Sequence, residues 1–202
     1  MTKIKLCGLT RPCDMEAANR LEPEYIGFVF VPSSKRYIPP RKAAELKRLL
    51  HSNIQAVGVF VNEAPQAVAR LLSSGVIDLA QLHGSEDKQY LRELRALTGK
   101  PILQAFRIRS AEDIRRAENS AADQILLDAG AGTGTAFDWN LVRPIRRPYF
   151  LAGGLGPDNV ERAVELLHPY AVDVSSGIET DGQKDLKKMA AFVAAVRKEA
   201  RK

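Results

Sequence analysis

Two side chains of this sequence could exchange protons with a bound substrate. Cys7 ends the first short apolar run of the chain and Asp128 ends the sixth. A thiolate can remove a proton from carbon and a protonated carboxyl can donate one, so these residue types fit acid–base chemistry. Cys7 also fits a small buried hydrophobe, and Asp128 also fits a turn residue before a glycine-rich loop. The pair therefore predicts chemistry only if the fold brings the two strand ends together.

Glycines and serines that follow later strands form a second candidate feature. Gly153-Gly154 follows the seventh predicted strand and Ser175-Ser176-Gly177 follows the eighth. Backbone N–H groups in two such loops, with a short helix beginning in the second, would bind a phosphate. Gly132 and Gly134, in the loop after the sixth strand, would add amides from one side. The alternative is that these glycines only allow tight turns.

A third feature is a cation away from these loops. Arg36 lies in the polar loop after the second strand, where a guanidinium can bind a carboxylate through two hydrogen bonds. The net charge of +6 fits an anionic ligand. The basic residues are dispersed and few aromatic residues lie among them, so we expect no nucleic-acid partner. The Cys and His residues lack metal-ligand spacing, so we expect neither a metal nor another cofactor.

The fold must bring these residues together. Eight apolar runs alternate with helical patterns along the 202 residues, and the runs are nearly continuous, as expected of parallel strands buried on both faces. Eight such units predict an α/β protein, a single (β/α)₈ TIM barrel over residues 1–202. A doubly wound open sheet is the competing architecture. In the barrel the carboxyl ends of the strands form one mouth, with Cys7 and Asp128 on opposite sides.

The apolar runs and helical patterns give the element boundaries. After the run that ends at Cys7, the predicted strands are Tyr25–Val31, Gln55–Val61, Ile77–Leu82, Pro101–Phe106, Asp123–Leu127, Pro148–Ala152 and Ala171–Val174. The predicted helices are Arg11–Leu21, Lys42–Leu50 opened by Pro39-Pro40, Ala64–Ser73, Glu86–Leu97 with Ser85 as its cap, a short helix capped by Ser110, a weak helix ending at Arg143, a helix from Pro157 to Leu167, and Asp185–Lys198.

The lengths of the apolar runs and the number of cysteines also indicate where the protein works. The longest apolar runs are far shorter than the roughly 20 residues of a membrane-spanning helix, so we expect no membrane partner. The sequence opens with a strand pattern that contains lysines, and we expect no leader segment. The two cysteines are interpreted as free thiols, which predicts a cytoplasmic location. A monomer and a homodimer both remain open.

Short motifs stand at almost every strand end, in order, and together they cover the whole chain. They are Lys5-Leu6-Cys7-Gly8-Leu9-Thr10, Ser34-Lys35-Arg36, Gln81-Leu82-His83-Gly84, Leu126-Leu127-Asp128, Gly132-Thr133-Gly134 with Phe137-Asp138-Trp139, Leu151-Ala152-Gly153-Gly154-Leu155, and Val172-Asp173-Val174-Ser175-Ser176-Gly177-Ile178-Glu179. This set resembles the phosphoribosylanthranilate isomerase family of tryptophan biosynthesis. The last motif is the most diagnostic.

The resemblance implies a sugar-phosphate substrate and an Amadori rearrangement. N-(5-phosphoribosyl)anthranilate would become 1-(2-carboxyphenylamino)-1-deoxyribulose 5-phosphate. The family's general base falls on Cys7, its general acid on Asp128, and the arginine that holds the anthranilate carboxylate on Arg36. We expect basic surroundings to lower the pKa of Cys7. We expect a dry site and the substrate carboxylate to raise the pKa of Asp128.

Other readings of the same residues remain open. Indole-glycerol-phosphate synthase would require a lysine at a strand end, whereas Lys3 and Lys5 lie inside the first strand. A pentose-phosphate epimerase would require a metal-binding His/Asp set. A third alternative is a barrel that binds phosphate or RNA without catalysis. A steep salt dependence of its nucleic-acid binding would favour this alternative. We interpret His83 as hydrogen-bonded to its adjacent loop, and Asp173 as ordering the eighth loop or contacting the sugar.

Overall fold

Eight parallel strands close a barrel in the computed structural model, which describes residues 1–128, 139, 142 and 145–198. The strands are β1 Lys3–Cys7, β2 Tyr25–Val29, β3 Gln55–Phe60, β4 Leu79–Leu82, β5 Ile102–Arg107, β6 Gln124–Asp128, β7 Tyr149–Ala152 and β8 Ala171–Val174. Each strand pairs with the next, and β1 closes the barrel against β8 with Lys5 opposite Asp173. The predicted (β/α)₈ barrel is confirmed, and the open sheet is excluded.

Seven α-helices are described around this barrel. They are α1 Pro12–Leu21, α2 Pro40–Lys47, α3 Pro65–Ser73, α4 Lys88–Leu97, α5 Ala111–Glu118, α6 Val160–Leu167 and α7 Leu186–Lys198. The weak helix predicted to end at Arg143 lies largely outside the described residues, and Gly132 and Gly134 lie wholly outside them. None of the described helices has the length and apolar character needed to span a bilayer.

Some predicted helix boundaries are wrong, and local hydrogen bonding explains the start of α4. Helix α4 is capped by Asp87, whose carboxylate accepts a hydrogen bond of 2.8 Å from the Tyr90 amide. Ser85, the predicted cap, donates its hydroxyl instead to Oδ1 of Asn62 in the preceding loop. Helix α2 begins at Pro40, in agreement with the prediction that Pro39-Pro40 opens it, but it ends at Lys47 rather than Leu50. Helix α6 begins at Val160, three residues after the predicted start.

A small hairpin follows β8 and was not predicted. A single 3₁₀ turn, Ser176–Ile178, matches the short helix expected there. The chain then forms β9 Glu179–Thr180 and β10 Gln183–Lys184, which pair antiparallel before α7 begins. This hairpin returns two charged side chains, Glu179 and Lys184, to the mouth of the barrel.

The barrel separates two apolar cores. Outward-facing side chains such as Ile4 and Leu6 pack under the helices, whereas Val57, Leu103 and Phe150 belong to a separate cluster that fills the barrel. Side chains alternate along a strand, so Lys3, Lys5 and Cys7 of β1 share the inward face. The barrel interior therefore contains Lys5, which is fully buried.

Candidate active site

Cys7 lies at the carboxyl end of β1, facing the barrel mouth. Its side chain packs with Val29 and Val59, and only 7% of the residue is exposed. A Cβ atom on Gly27, the neighbouring residue of β2, would lie 2.6 Å from the Cys7 sulfur. Glycine at this position therefore makes room for the thiol.

The electrostatic surroundings of Cys7 differ from the expectation. Burial raises the pKa of the thiol above its ordinary value, while Lys5 and Lys184 act in the opposite direction and Asp173 adds to the rise. The predicted lowering of the Cys7 pKa is thus wrong for the ligand-free protein, because loss of water around the thiol outweighs the two cations. The thiol is protonated at neutral pH before substrate arrives.

Asp128 ends β6 and belongs to a chain of hydrogen bonds. Its Oδ2 lies 3.2 Å from Nε2 of His83, and Nδ1 of His83 lies 3.1 Å from Nε2 of Gln81. If the Gln81 amide nitrogen donates to Nδ1, the imidazole carries its proton on Nε2 and donates it to Asp128. His83 thus contacts the candidate acid as well as the adjacent β4 residue, a role that sequence reasoning missed.

The barrel order fixes how the candidate groups surround the mouth. Strands β7 and β8 separate β6 from β1 on the shorter way round, so Asp128 and Cys7 lie three strand positions apart, one short of opposite. The two candidate phosphate loops follow these intervening strands. A phosphate held there would leave the rest of a ligand between the acid and the base.

The loops after β7 and β8 have the backbone that an anion site requires. Gly153 and Gly154 have φ values of +93° and +66°, a left-handed region that favours glycine. The backbone amides of Gly154, Ser176 and Gly177 donate to no acceptor among the described residues. A Cβ on Gly177 would lie 2.0 Å from the Leu155 carbonyl oxygen, so the two loops touch and present these amides together.

Arg36 is held by the hairpin after β8. Its Nε and Nη2 donate to the two carboxylate oxygens of Glu179 at 2.6 and 2.9 Å, and Lys184 reaches Oε1 of Glu179 at 2.7 Å. Its own amide is bonded to the Ser34 hydroxyl, and its stem covers Gly8, where a Cβ would lie 2.6 Å from Arg36 Cδ. Arg36 is therefore an ordered cation rather than a mobile surface arginine.

This ion-pair cluster predicts a pH dependence of stability. Burial would raise the pKa of Glu179, but hydrogen bonds from Arg36 and Lys184 outweigh it and hold the value at about 2, below the ordinary 4.5. A depressed pKa stabilises the fold above pH 4.5, and this contribution is lost as the pH falls towards 2. In urea unfolding, Glu179→Gln should be less stable than wild type at pH 7, and the gap should narrow below pH 4.5.

Glu112→Gln is the matched control for this prediction. Glu112 also pairs with an arginine, Arg115, but both side chains are 63% exposed. Exposed pairs contribute little, so this variant should track wild type at every pH. A Glu179→Gln deficit that stays constant from pH 7 to pH 3 would contradict the assignment.

The site contains buried charges that sequence reasoning did not place. Lys5 Nζ bonds to Asp173 Oδ1 at 2.9 Å inside the barrel, so Asp173 contacts a β1 side chain rather than only ordering its own loop. Lys184 donates to the Ser175 carbonyl, and Ser175 donates to the Cys7 carbonyl. The inward position of Lys5 was predictable from the period of two along β1, but its pairing with Asp173 was not. Among the described residues, no Cys, His, Asp and Glu cluster could hold a metal ion.

The fold and the candidate site define a class: a (β/α)₈-barrel enzyme with candidate proton-transfer and anion-binding groups at the carboxyl ends of its strands. Comparison with known sequences narrows the class. A sequence model of N-(5'-phosphoribosyl)anthranilate isomerase matches residues 4–195. The chain belongs to this family.

Individual relatives agree with this assignment. N-(5'-phosphoribosyl)anthranilate isomerase of Caldanaerobacter subterraneus subsp. tengcongensis is 42% identical, with 98% of each chain covered. The crystal structure of the Thermotoga maritima enzyme superposes with a TM-score of 0.91 at 35% identity, covering 98% of this chain and 100% of that one. A further phosphoribosyl anthranilate isomerase structure, in complex with reduced 1-(o-carboxyphenylamino)-1-deoxyribulose 5-phosphate, has a TM-score of 0.88 at 35% identity, with the same coverage. The family assignment favours this isomerase over the two other sugar-phosphate barrels considered from the sequence.

Proposed function

We propose that this protein catalyses the Amadori rearrangement of N-(5'-phosphoribosyl)anthranilate to 1-(o-carboxyphenylamino)-1-deoxyribulose 5-phosphate, a step of tryptophan biosynthesis. Membership of the isomerase family over residues 4–195 is the observation that carries this proposal. The geometry supports it, because the substrate has two anionic ends and the mouth offers two cationic or amide-lined regions on either side of an acid and a base.

We assign the phosphate to the loops after β7 and β8. The amides of Gly153, Gly154, Ser176 and Gly177 would bind its oxygens, with Ser175 anchoring the second loop to β1 through the Cys7 carbonyl. Gly132 and Gly134 remain proposed contributors from outside the described residues. The anthranilate carboxylate is assigned to Arg36.

The chemistry begins with ring opening. Protonated Asp128 gives its proton to the ring oxygen of the sugar, the bond from that oxygen to C1 breaks, and the anthranilate nitrogen supplies the electron pair that forms a protonated Schiff base. The Cys7 thiolate then takes the proton from C2, and those electrons form the C1–C2 double bond of an enolamine. A proton moves from the C2 hydroxyl to C1 through solvent, which gives the ketone.

The two groups end with their protonation states exchanged, and solvent resets them. Each positioned proton transfer typically contributes about 10²–10⁴-fold to the rate. The raised pKa of Cys7 makes the thiolate a stronger base once it has formed, but a scarcer one at neutral pH. Fixing both anionic ends of the substrate holds C2 near the sulfur, which compensates for this scarcity.

The direct test is turnover of phosphoribosylanthranilate generated in the cuvette, followed by the loss of its anthranilate fluorescence. Wild type should consume it rapidly, and ribosylanthranilate without the phosphate should react with a much lower kcat/KM. Failure of wild type to consume the phosphorylated substrate would overturn the proposal. Equal turnover of both compounds would overturn the phosphate assignment alone.

Arg36→Met should raise KM by about 10- to 100-fold, because a charge-assisted contact to the anthranilate carboxylate is lost. The kcat should fall much less, since the carboxylate stays charged from substrate to transition state. Arg41→Met is the control, because Arg41 is 94% exposed on α2 and pairs with Glu45 of the same helix. An unchanged KM in Arg36→Met would remove Arg36 from the binding site.

Several coarser assignments accompany this function. We propose one domain over residues 1–202, acting as a monomer or homodimer on a small-molecule sugar phosphate, without nucleic acid, metal or other cofactor. A cytoplasmic location fits the two free cysteines, Cys7 and Cys13.

A further inference from the structure

A fully buried cation lies directly below Cys7. Lys5 and Cys7 are two residues apart on β1, so both project into the barrel. None of the Lys5 side chain is exposed, and its ammonium donates to Asp173 across the β1–β8 closure at 2.9 Å. The proposed reaction assigns no role to Lys5.

This ion pair is costly for a barrel core. Moving two charges out of water costs hydration free energy, which only close pairing of the charges can offset. A well-packed apolar pair often stabilises a core equally well. The nearby inward residues Val57, Leu103 and Leu126 of other strands are apolar, so the ion pair lies next to a largely apolar interior. Burial would lower the pKa of Lys5, yet Asp173 and Cys7 raise it above its ordinary value, so the ammonium stays charged. A buried charge retained beside a candidate base indicates a functional reason.

We propose that Lys5 is a positioning residue for Cys7: its ammonium stabilises the thiolate that takes the C2 proton, and Asp173 holds Lys5 in place below the sulfur. The functional role in this inference rests on the proposed isomerisation, whereas its first test measures only the ionisation of Cys7. The arrangement also explains why the first strand carries an inward lysine two residues before the base.

The charges that face Cys7 determine the direction in which each substitution should change its pKa. Lys5 on β1, Lys184 on β10 and Arg36 in the loop after β2 are cations, and Asp173 on β8 is the facing anion. Strands β2 and β3 contribute uncharged neighbours to the sulfur, Gly27, Val29 and Val59. Removing Lys5 should therefore raise the pKa of Cys7, and neutralising Asp173 should lower it.

The test is a pH titration of thiolate absorbance at 240 nm in the ligand-free protein. All variants carry Cys13→Ala, so that Cys7 is the one remaining thiol, and the matching Cys7→Ser protein is subtracted to remove tyrosine absorbance. Lys5→Met should raise the midpoint by about one pH unit or more, and Asp173→Asn should lower it. Lys3→Met is the control, because it removes the same charge from the same face of β1 at the Tyr170 end of the strand and should leave the midpoint unchanged.

A double variant guards against misfolding. Lys5→Met alone leaves the Asp173 carboxylate buried without its cation, whereas Lys5→Met with Asp173→Asn removes both charges. The midpoint of the double variant should lie above that of Asp173→Asn, which isolates the effect of Lys5. Equal midpoints in these two proteins, or shifts of the two single variants in the same direction, would overturn the inference.

Activity provides the second readout. Lys5→Met should lower kcat at pH 7 at least about tenfold with little change in KM, and the loss should shrink as the pH rises and the thiolate forms without help. Lys5→Arg should retain more activity than Lys5→Met because it keeps the charge. A pH-independent loss in Lys5→Met would mean a structural role only. If wild type fails to turn over the substrate while the midpoints still shift in opposite directions, the proposed function fails and the electrostatic coupling stands.

Discussion

Asp128→Asn is expected to lower kcat for phosphoribosylanthranilate by about 100-fold or more, with a small change in KM. Asparagine keeps the shape of the side chain and can still hydrogen-bond to His83, which lies 3.2 Å from Oδ2. An amide cannot release a proton to the ring oxygen, so the ring must open without an acid. The measurement is steady-state loss of anthranilate fluorescence at saturating substrate.

Asp123→Asn is the matched control for this result. Asp123 immediately precedes β6 at the end of the strand opposite Asp128, where it pairs with Arg95 and accepts the Ile102 amide. The same change there should lower thermal stability and leave kcat near that of wild type. If Asp128→Asn keeps more than a tenth of wild-type kcat, another group must supply the proton.

Cys7→Ser is expected to lose about 100-fold or more in kcat, and Cys7→Ala a similar factor. The hydroxyl of serine occupies nearly the same space beside Gly27, but it does not ionise near neutrality and cannot act as the base. Cys13→Ala, in α1, is the control and should retain full activity. Loss of activity in Cys13→Ala but not in Cys7→Ser would reverse the assignment of the two thiols.

A substrate deuterated at C2 separates the two roles. In Cys7→Ser, removal of the C2 proton becomes slow, so the primary isotope effect on kcat should rise above that of wild type. In Asp128→Asn, ring opening becomes slow, and the isotope effect should fall towards unity. Isotope effects that move together in both variants would show that the two residues do not divide the proton transfers as proposed.

The positions of the strand ends were predictable because parallel strands that are buried on both faces leave a clear hydrophobic pattern in the sequence. Nearly continuous apolar runs indicated parallel strands, and Cys7 and Asp128 stand at the ends of two of these runs, where a barrel gathers functional side chains. A tight turn at Gly153 and Gly154 was also predictable, because glycine is the residue type that a left-handed backbone favours.

The partners across the site were not predictable from the same patterns. A period of two shows that Lys5 faces inward, but only the β1–β8 register shows that it meets Asp173. Glu179 and Lys184 reach the mouth through a two-residue-long pair of strands, too short to leave a periodic signal. The pKa of Cys7 was predicted in the wrong direction because the charge count along the sequence gives no measure of burial.

The pairing of Lys5 with Asp173 also bears on how the chain is made. The two residues are 168 positions apart, so at about 5–20 residues per second a ribosome adds Asp173 roughly 10–30 s after Lys5. During that interval β1 is an open strand without its final neighbour, β8. A lysine in the middle of its inward face discourages the strand from joining a similar edge on another nascent chain, because such pairing would bury an uncompensated charge. Synthesis of β8 supplies the carboxylate that compensates this charge, so the lysine protects the strand only until the barrel can close.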